Sequence, residues 1–303
     1  FMLRGSLPPV AVVALTGGAG GLNAIGLEIG RPLRPMLAQS APSVVEALAK
    51  VGGIAALEWK LDGIRVQIHR WAKENGTEVR VFTRTLDDIT ARVPELVDAV
   101  AELGVRDVVV DGEAIALDER GRPRPFQETA ARTSSRLGVD ALSRKIPLTV
   151  FVFDMLQLDG EPLLRAPASR RQLLLETLLP QHLRVPRLVT DDPAEATAFF
   201  AEAIARGHEG VVVKSLDAPY EAGRRGAGWV KVKPRHTLDL VVLAAEWGHG
   251  RRRGLLSNLH LGARDGAGGF VMLGKTFKGL TDEILTWQTE EFLRIETHRD
   301  AYT

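Results

Sequence analysis

The most informative stretch of the chain is Glu58-Trp59-Lys60-Leu61-Asp62-Gly63-Ile64-Arg65. It places one lysine beside a predicted hairpin turn at Asp62-Gly63, between the apolar runs 54–59 and 64–70. A lysine amine becomes a nucleophile when it loses its proton, whereas an arginine side chain keeps its proton in proteins. We therefore interpret Lys60 as a candidate nucleophile. The alternative is that Lys60 and Arg65 are solvated flanks of an ordinary hairpin.

The composition excludes several classes of chemistry. The chain has 303 residues and no cysteine, so disulfides, cysteine-bound zinc and thiol catalysis are excluded. Its 39 basic and 38 acidic residues give a net charge of +1, so the chain as a whole is not a polycation. The apolar runs are too short to cross a bilayer, and the N-terminal region lacks the pattern of a signal peptide. We therefore expect a soluble, cytoplasmic protein.

One segment carries the excess of positive charge. Between residues 248 and 278 there are six basic residues and one acidic residue. The basic residues are Arg251, Arg252, Arg253, Arg264, Lys275 and Lys278. This pattern is typical of a segment that contacts nucleic acid phosphates, and it is equally typical of a solvated basic face.

Three regions of the chain differ in composition. Residues 1–31 are glycine-rich without sustained periodicity, which predicts the tail of an upstream element and a linker. Over residues 35–234, short strands and several hairpins alternate with helices, among them a helix over 194–206 that starts after Asp192-Pro193 and stops at Gly207. This alternation indicates a mixed, largely antiparallel α+β domain. After residue 234, about three predicted strands and a helix over 281–296 are typical of part of a small oligonucleotide-binding (OB) barrel.

Further motifs place polar or aromatic side chains on apolar strands. Asp111-Gly112-Glu113 is predicted at the junction of two strands, where a carboxylate can accept a ribose hydroxyl or face a metal ion. Phe151 and Phe153 share one face of a strand, so one of them could stack on a base, although core packing is the commoner role. Lys231 and Lys233 also share a face, and because they repel each other they indicate an anion between them.

The order and spacing of these motifs resemble the ATP-dependent DNA ligases, a family of covalent nucleotidyltransferases. The resemblance rests on Arg31–Ala38, Lys60–Arg65, Thr83-Arg84, Asp111-Gly112-Glu113, Phe151–Leu156, Glu209–Lys214, Trp229–Lys233 and residues 237–254. It covers about residues 31–297 and is greatest to bacterial ligases that carry an N-terminal DNA-binding domain.

The resemblance implies a fold. We expect an ATP-grasp-like nucleotidyltransferase (adenylation) domain, built of antiparallel sheets with helices, over residues 31–234. An incomplete OB-fold β-barrel domain is expected over 235–303, and residues 1–30 would be the linker remnant of an upstream DNA-binding domain. The family's last motif, a basic segment near the end of the OB domain, is not found. The chain therefore resembles part of a longer enzyme.

The resemblance also implies roles for individual residues. Lys60 would be the nucleophile that takes AMP as a phosphoramidate, with Phe153 stacked on the adenine and Glu113 at the ribose. The other nucleotide-binding residues would be Glu58 near the adenine edge, Arg65 and Arg84 at the nucleotide or the nick phosphate, and Lys214 and Lys231 at the α-phosphate. The ligands of a divalent metal ion, Mg²⁺ or Mn²⁺, would be Asp62, Glu113 and Glu209. The DNA contacts would be Lys233, Arg251, Arg252, Arg253, Lys275 and Lys278.

The activity implied by the resemblance is the sealing of nicks in duplex DNA. Lys60 would be adenylated by ATP, AMP would pass to a 5′-phosphate, and a 3′-hydroxyl would then attack. The partner would be nicked duplex DNA, and the protein a monomer at the bacterial nucleoid. RNA ligases and mRNA-capping enzymes share the lysine motif and are alternatives, as is a non-catalytic nucleic-acid-binding clamp. NAD-dependent ligases are disfavoured because they normally carry a cysteine-bound zinc.

Overall fold

The computed structural model describes residues 2–235 and 237–299 and divides the chain into two compact units, Phe1–Pro234 and Arg235–Thr303. The helices are α1 Pro8–Asn23, α2 Val44–Val51, α3 Pro94–Ala101, α4 Phe126–Ser134, α5 Val139–Lys145, α6 Ala168–Leu178, α7 Pro193–Ala205 and α8 Asp282–Arg294. Among the described residues, none of these helices has the length and apolar character needed to cross a membrane.

The strands form three sheets, two in the first unit and one in the second. The strands of the first unit are β1 Gln39–Ser40, β2 Ala55–Lys60, β3 Ile64–Lys73, β4 Gly76–Thr83, β5 Asp107–Ala116, β6 Leu148–Leu158, β7 Glu161–Pro162, β8 Arg187–Thr190, β9 Gly210–Ser215 and β10 Trp229–Val232. Those of the second unit are β11 Val241–Trp247, β12 Leu256–Arg264 and β13 Phe270–Thr276.

The first sheet has the strand order β1-β10-β9-β2-β8. Its neighbours are antiparallel except β1 and β10, which are parallel. The core on this sheet includes Ala47 of α2, Leu57 of β2, Ala203 of α7 and Val213 of β9. The register places Lys60, the last residue of β2, opposite Gly210, the first residue of β9. Lys60 thus lies next to the Glu209-Gly210 motif.

The second sheet has the strand order β4-β3-β5-β6-β7 and is antiparallel throughout. Its core includes Ile68, Val110 and Val152, packed with side chains of α3 and α6. The register places Arg65 of β3 opposite Glu113 of β5. Two motifs that are 48 residues apart in sequence therefore become cross-strand neighbours.

The predicted hairpin about Asp62-Gly63 is wrong. The flanking strands exist, but β2 pairs with β8 and β9 in the first sheet, whereas β3 pairs with β4 and β5 in the second. The turn carries the chain from one sheet to the other. A Cβ at position 63 would lie 2.3 Å from the carbonyl oxygen of Ala114, so only glycine lets the turn pass this close to β5.

The predicted strand junction at Asp111-Gly112-Glu113 is also wrong. β5 runs without a break from Asp107 to Ala116, and the irregularity is a shift in its pairing with β6 between Asp111 and Gly112. A Cβ at Gly112 would lie 2.9 Å from the Phe151 carbonyl oxygen. Glycine is used here for close approach of β6 and does not end the strand.

The N-terminal region and the second unit can also be compared with the predictions. The glycine-rich region 1–31 contains helix α1, which its composition did not predict, with non-helical backbone angles at Gly18. In the second unit, α8 begins after the capping residue Thr281 and confirms the predicted helix. The described residues of this unit form the antiparallel sheet β11-β12-β13 with α8, and no closed barrel.

Candidate active site

A cavity of about 1040 Å³ in the first unit is lined by residues of both sheets. It contains eleven of the residues for which the sequence predicts a role in binding or catalysis. They are Glu58, Lys60, Asp62, Arg65, Arg84, Glu113, Phe153, Glu209, Lys214, Lys231 and Lys233. The structure therefore brings together the whole predicted nucleotide site and Lys233, although the role of each residue stays a prediction.

Lys60 lies where the chain leaves the first sheet. Its Nζ forms an ion pair with Glu209, and the backbone N–H of Glu209 donates to the Lys60 carbonyl at 3.0 Å. Lys233 pairs with the other oxygen of the same carboxylate. The Lys60 side chain is 24% exposed, so its amine is accessible from the cavity.

Two carboxylates adjoin Lys60, and their pKa values are shifted in opposite directions. Partial burial, and then the charge of Glu209, raises the pKa of Asp62 above its ordinary value. Partial burial acts in the same direction on Glu209, but hydrogen bonds from Lys233 and Lys60 hold the pKa of Glu209 below its ordinary value. The hydrogen bonds from Lys233 and Lys60 therefore favour the charged form of Glu209.

The predicted metal ligands do not form one cluster. The described residues contain no group of three or more Asp, Glu or His side chains that could hold a metal ion. Asp62, Glu113 and Glu209 line the same cavity but do not make such a group. Mg²⁺ is usually held by one or two carboxylates together with substrate phosphates and water. Asp62 and Glu209 fit that mode of binding.

Glu113 lies in the interior of β5, between Arg65 of β3 and Phe151 of β6. Burial raises the pKa of Glu113 to about 7, against the opposing positive charges of Arg65 and Lys60. The side chain therefore changes its charge near neutral pH, and it is ionised on the alkaline side of this range.

Glu58 and Lys214 form a buried charged cluster on the first sheet. Glu58 accepts from Arg187 Nη2 at 2.7 Å and lies 2.5 Å from Lys214 Nζ. Lys214 also donates to the Phe153 carbonyl at 3.0 Å, and burial lowers its pKa. Both charged groups already have protein partners, which the motif spacing did not indicate. The predicted roles of Glu58 at the adenine and Lys214 at the α-phosphate stay predictions.

Phe153 is half-buried at the cavity wall. Its ring is edge-on to Trp229, with 6.0 Å between the ring centroids. Lys214 Nζ lies 4.9 Å from the Phe153 centroid, and the Arg65 guanidinium carbon lies 5.4 Å from it. Trp229 lines the cavity as well. Trp229 begins the motif Trp229–Lys233, whose sequence did not predict a role for it.

Arg65 is held by partners from three other parts of the chain. Its Nε and Nη2 donate to Asp111, and its Nη1 donates to the Met36 carbonyl. The Tyr220 hydroxyl donates to the same Asp111 carboxylate at 2.7 Å. Burial, and then Asp111, raises the pKa of Tyr220 well above its ordinary value, so the hydroxyl keeps its proton. Tyr220 lies in the irregular segment 216–228, where no sequence pattern indicated a role.

Two arginines complete the cavity. Arg84, directly after β4, is exposed on its wall, and its contact with a nucleotide or a nick phosphate stays a prediction. Arg225, which sequence reasoning missed, is exposed on the same cavity. Burial, then Lys233, Lys60 and Arg225, lowers the pKa of Lys231. This part of the cavity is thus a concentration of positive charge.

The predicted DNA contacts of the second unit are partly occupied by protein partners. Lys275 is paired with Glu246, and hydrogen bonds from Lys275 and His260 lower the pKa of Glu246 to about 2. Arg252 donates to the Phe277 carbonyl. Three other predicted DNA contacts are exposed, namely Arg251, Arg253 and Lys278. Arg251 lies 4.0 Å from Asp282, and the Lys278 ammonium lies over the Phe277 ring.

Comparison with known proteins identifies the family of this lysine-centred site. The family model "ATP dependent DNA ligase domain" matches residues 35–233. A "Probable DNA ligase" of Anaeromyxobacter dehalogenans (strain 2CP-1 / ATCC BAA-258) is 60% identical over 98% of this chain, and one of Nocardioides sp. (strain ATCC BAA-499 / JS614) is 59% identical over 99%. The chain belongs to the ATP-dependent DNA ligase family. It spans 57% of the length of each of these two relatives.

Solved structures agree with this assignment. A mycobacterial DNA ligase D complexed with ATP and MES is 31% identical, with a TM-score of 0.52 over 88% of this chain and 79% of that chain. The structure named Pmar-Lig_PreS3 has a TM-score of 0.63 at 22% identity, over 91% of this chain and 62% of that chain, and shows the shared fold.

Proposed function

We propose that this chain carries the nucleotide-transfer site of an ATP-dependent DNA ligase that seals 5′-phosphate/3′-hydroxyl nicks in duplex DNA. The observation that carries the proposal is the accessible Lys60 amine in one cavity with Lys231, Lys233 and Phe153. Family membership supports it. The proposal concerns the whole enzyme, because the relatives are longer than this chain.

In the first step, the Lys60 amine attacks the α-phosphorus of ATP. A P–N bond forms, the bond from the α-phosphorus to the bridging oxygen breaks, and pyrophosphate leaves with the electron pair. Lys60 must first leave its ion pair with Glu209 and release a proton to water. The positive charges of Lys231, Lys233 and Arg225 stabilise the negative charge on the phosphates, which is the main contribution a protein makes to phosphoryl transfer.

The next two steps use the same site. An oxygen of the nick 5′-phosphate attacks the AMP phosphorus, the P–N bond breaks, and the Lys60 amine is regenerated. The DNA 3′-hydroxyl then attacks the 5′-phosphate, loses its proton and expels AMP. Arg84, exposed on the cavity wall, is the proposed contact for the nick phosphate.

The other residues bind and orient the nucleotide. Phe153 stacks on adenine, and Glu113 accepts a ribose hydroxyl. Asp62 and Glu209 would hold Mg²⁺ together with phosphate oxygens, and the ion would neutralise phosphate charge. Arg65 and Lys214 lie 5.4 and 4.9 Å from the Phe153 ring centroid, and each is held there by a carboxylate, Asp111 and Glu58 respectively.

Nicked duplex DNA is the proposed partner. In the second unit, Arg251, Arg253 and Lys278 would contact backbone phosphates, so binding should weaken as salt is raised. A chromosomal substrate places the enzyme at the bacterial nucleoid in the cytoplasm, and we propose that it acts as a monomer.

The test uses the 303-residue chain with ATP labelled at the α-phosphate. We expect one AMP per chain, located by peptide mass spectrometry on Lys60 among the nine lysines. The adenylated chain is then mixed with nicked DNA or nicked RNA duplexes. Faster AMP transfer to DNA supports the proposal, and faster transfer to RNA favours the RNA-ligase alternative. A chain that binds nicked DNA and forms no adduct would favour the alternative of a non-catalytic clamp.

A further inference from the structure

Tyr220 connects segments that are distant in sequence. Its hydroxyl donates to Asp111 Oδ2 at 2.7 Å and accepts from the Met36 N–H at 3.0 Å. Arg65 Nη2 lies 3.3 Å from the Tyr220 hydroxyl oxygen. Tyr220 is 4% exposed, and neither Tyr220 nor Asp111 lines the cavity. The hydroxyl is thus a buried junction that does not face the nucleotide site.

Of these four residues, Arg65 lines the cavity. Its Nε and Nη2 donate to Asp111 at 3.0 and 2.5 Å, and its Nη1 donates to the Met36 carbonyl at 2.6 Å. Its guanidinium carbon lies 5.4 Å from the Phe153 ring centroid and 5.5 Å from that of Trp229. The position of this guanidinium therefore influences the two aromatic rings at the cavity wall.

The tyrosine hydroxyl is needed to keep this arrangement. Asp111 is 1% exposed, and its Oδ2 accepts from both Arg65 and Tyr220. Without the hydroxyl, Asp111 loses one donor and the Met36 N–H loses its acceptor. Buried polar groups that lose partners are costly, so the network should rearrange to recover them. Arg65 can move most, because its side chain is long and Asp111 is inside β5.

We propose that Tyr220 is a positioning residue for nucleotide binding, whose hydroxyl fixes the Asp111–Arg65 pair and thereby holds the Phe153 and Trp229 rings at the cavity wall. The inference rests on the proposed function, because it assumes that an adenine nucleotide binds against Phe153. Tyr220 itself touches no nucleotide. Its loss should therefore change affinity for the nucleotide more than the chemical step.

The experiment uses Tyr220→Phe, which removes the oxygen and keeps the ring that packs edge-on to Trp229. We expect the Kd for AMP and the KM for ATP in Lys60 adenylation to rise about tenfold, with the maximal adenylation rate changed less than about twofold. The matched control is Thr129→Val. The buried Thr129 hydroxyl also accepts a backbone N–H, that of Ala116, and Thr129 does not line the cavity.

The control separates positioning from general stability. Thr129→Val should lower the melting temperature to a similar extent and leave the Kd for AMP unchanged. If Tyr220→Phe changes the Kd for AMP by less than about twofold, or Thr129→Val raises it equally, the proposal is overturned. If Tyr220→Phe does not fold, Asp111→Asn is used instead. It weakens the ion pair between Asp111 and Arg65 directly and should also raise the Kd for AMP. An unchanged Kd in that variant would also overturn the proposal.

The readouts also separate this inference from the proposed function. AMP binding is measured by calorimetry and needs no chemistry, so it decides about Tyr220 even if the wild-type chain forms no adduct with ATP. A wild-type chain that binds AMP without becoming adenylated would contradict the ligase reaction alone. A wild-type chain that binds neither AMP nor ATP would contradict both.

Discussion

Replacing Phe153 by leucine tests whether its ring binds adenine. The ring already contacts Trp229 edge-on at 6.0 Å and the Lys214 ammonium at 4.9 Å, and the residue lines the cavity. With these neighbours, the ring can stack on one base. Such a stack contributes about 1–3 kcal/mol, and leucine keeps part of the apolar contact, so we expect a loss of about 1–2 kcal/mol. This corresponds to an affinity for AMP lower by about 5- to 30-fold.

The assay compares Phe153→Leu with Phe151→Leu. Phe151 lies two residues earlier on the same face of β6 and packs against the same cluster of Leu61 and Ile115 as Phe153, but it does not line the cavity. Both changes remove a ring and keep a large aliphatic side chain, so both should destabilise the fold by less than about 1.5 kcal/mol. Calorimetry measures AMP affinity, and thermal unfolding measures stability.

The two variants should differ in AMP affinity and not in stability. If Phe153→Leu binds AMP as tightly as the wild type, the ring belongs to the core and not to the base site. If Phe151→Leu weakens AMP binding as much as Phe153→Leu, the effect comes from β6 as a whole and the stacking argument fails.

Three further predictions test the nucleophile, the ribose contact and the fold. Lys60→Arg should abolish the AMP adduct, because arginine does not become a neutral nucleophile near neutral pH, and an added AMP in the intact mass of this variant would contradict the assignment. The pKa of Glu113 is about 7, so the carboxylate that accepts a ribose hydroxyl forms as pH rises through 7, and adenosine should then bind more tightly to the wild type. Adenosine is used because it has no phosphate that titrates. Glu113→Gln should bind adenosine with the same affinity at every pH. If adenosine affinity of the wild type does not change with pH, Glu113 does not accept the ribose hydroxyl. Asp154→Asn should cost about 3–5 kcal/mol in urea denaturation, because it leaves the charge of Arg171 unpaired. Both side chains of that pair are 0% exposed, with 2.7 Å between them. Its control, Glu161→Gln in the exposed pair with Arg170, should cost less than about 1 kcal/mol, and equal losses would show that burial does not set the cost.

Local patterns predicted many of the elements that carry the site. The run 64–70 was predicted as a strand and is part of β3, and the helix predicted over 194–206 corresponds to α7, Pro193–Ala205. These elements have strong local signals, namely β-branched residues in one case and the start at Asp192-Pro193 in the other. Helix α6 was not predicted, because it buries Arg171 and Gln172 and so lacks a simple apolar face.

Local sequence patterns did not predict which strands pair with each other. Asp62-Gly63 predicts a tight turn, but the same turn can join partners in one sheet or pass between two sheets. The choice depends on β8, β9, β4 and β5, which come from elsewhere in the chain. Gly112 is compatible with a strand end, and only the approach of β6 shows that it lies inside a continuous strand.

For the candidate site, the sequence determined which residue types are present and in what order, because motif spacing is a property of the chain alone. It therefore predicted Lys60 and ten other residues that line the cavity, but it gave no role to Trp229 or Arg225. The tertiary structure decided their partners. Lys60 pairs with Glu209 from 149 residues away, Glu58 with Arg187 from 129, and Asp111 with Tyr220 from 109. An ion pair or hydrogen bond acts over a few ångströms in space, and residues so far apart in sequence come that close only once the chain has folded.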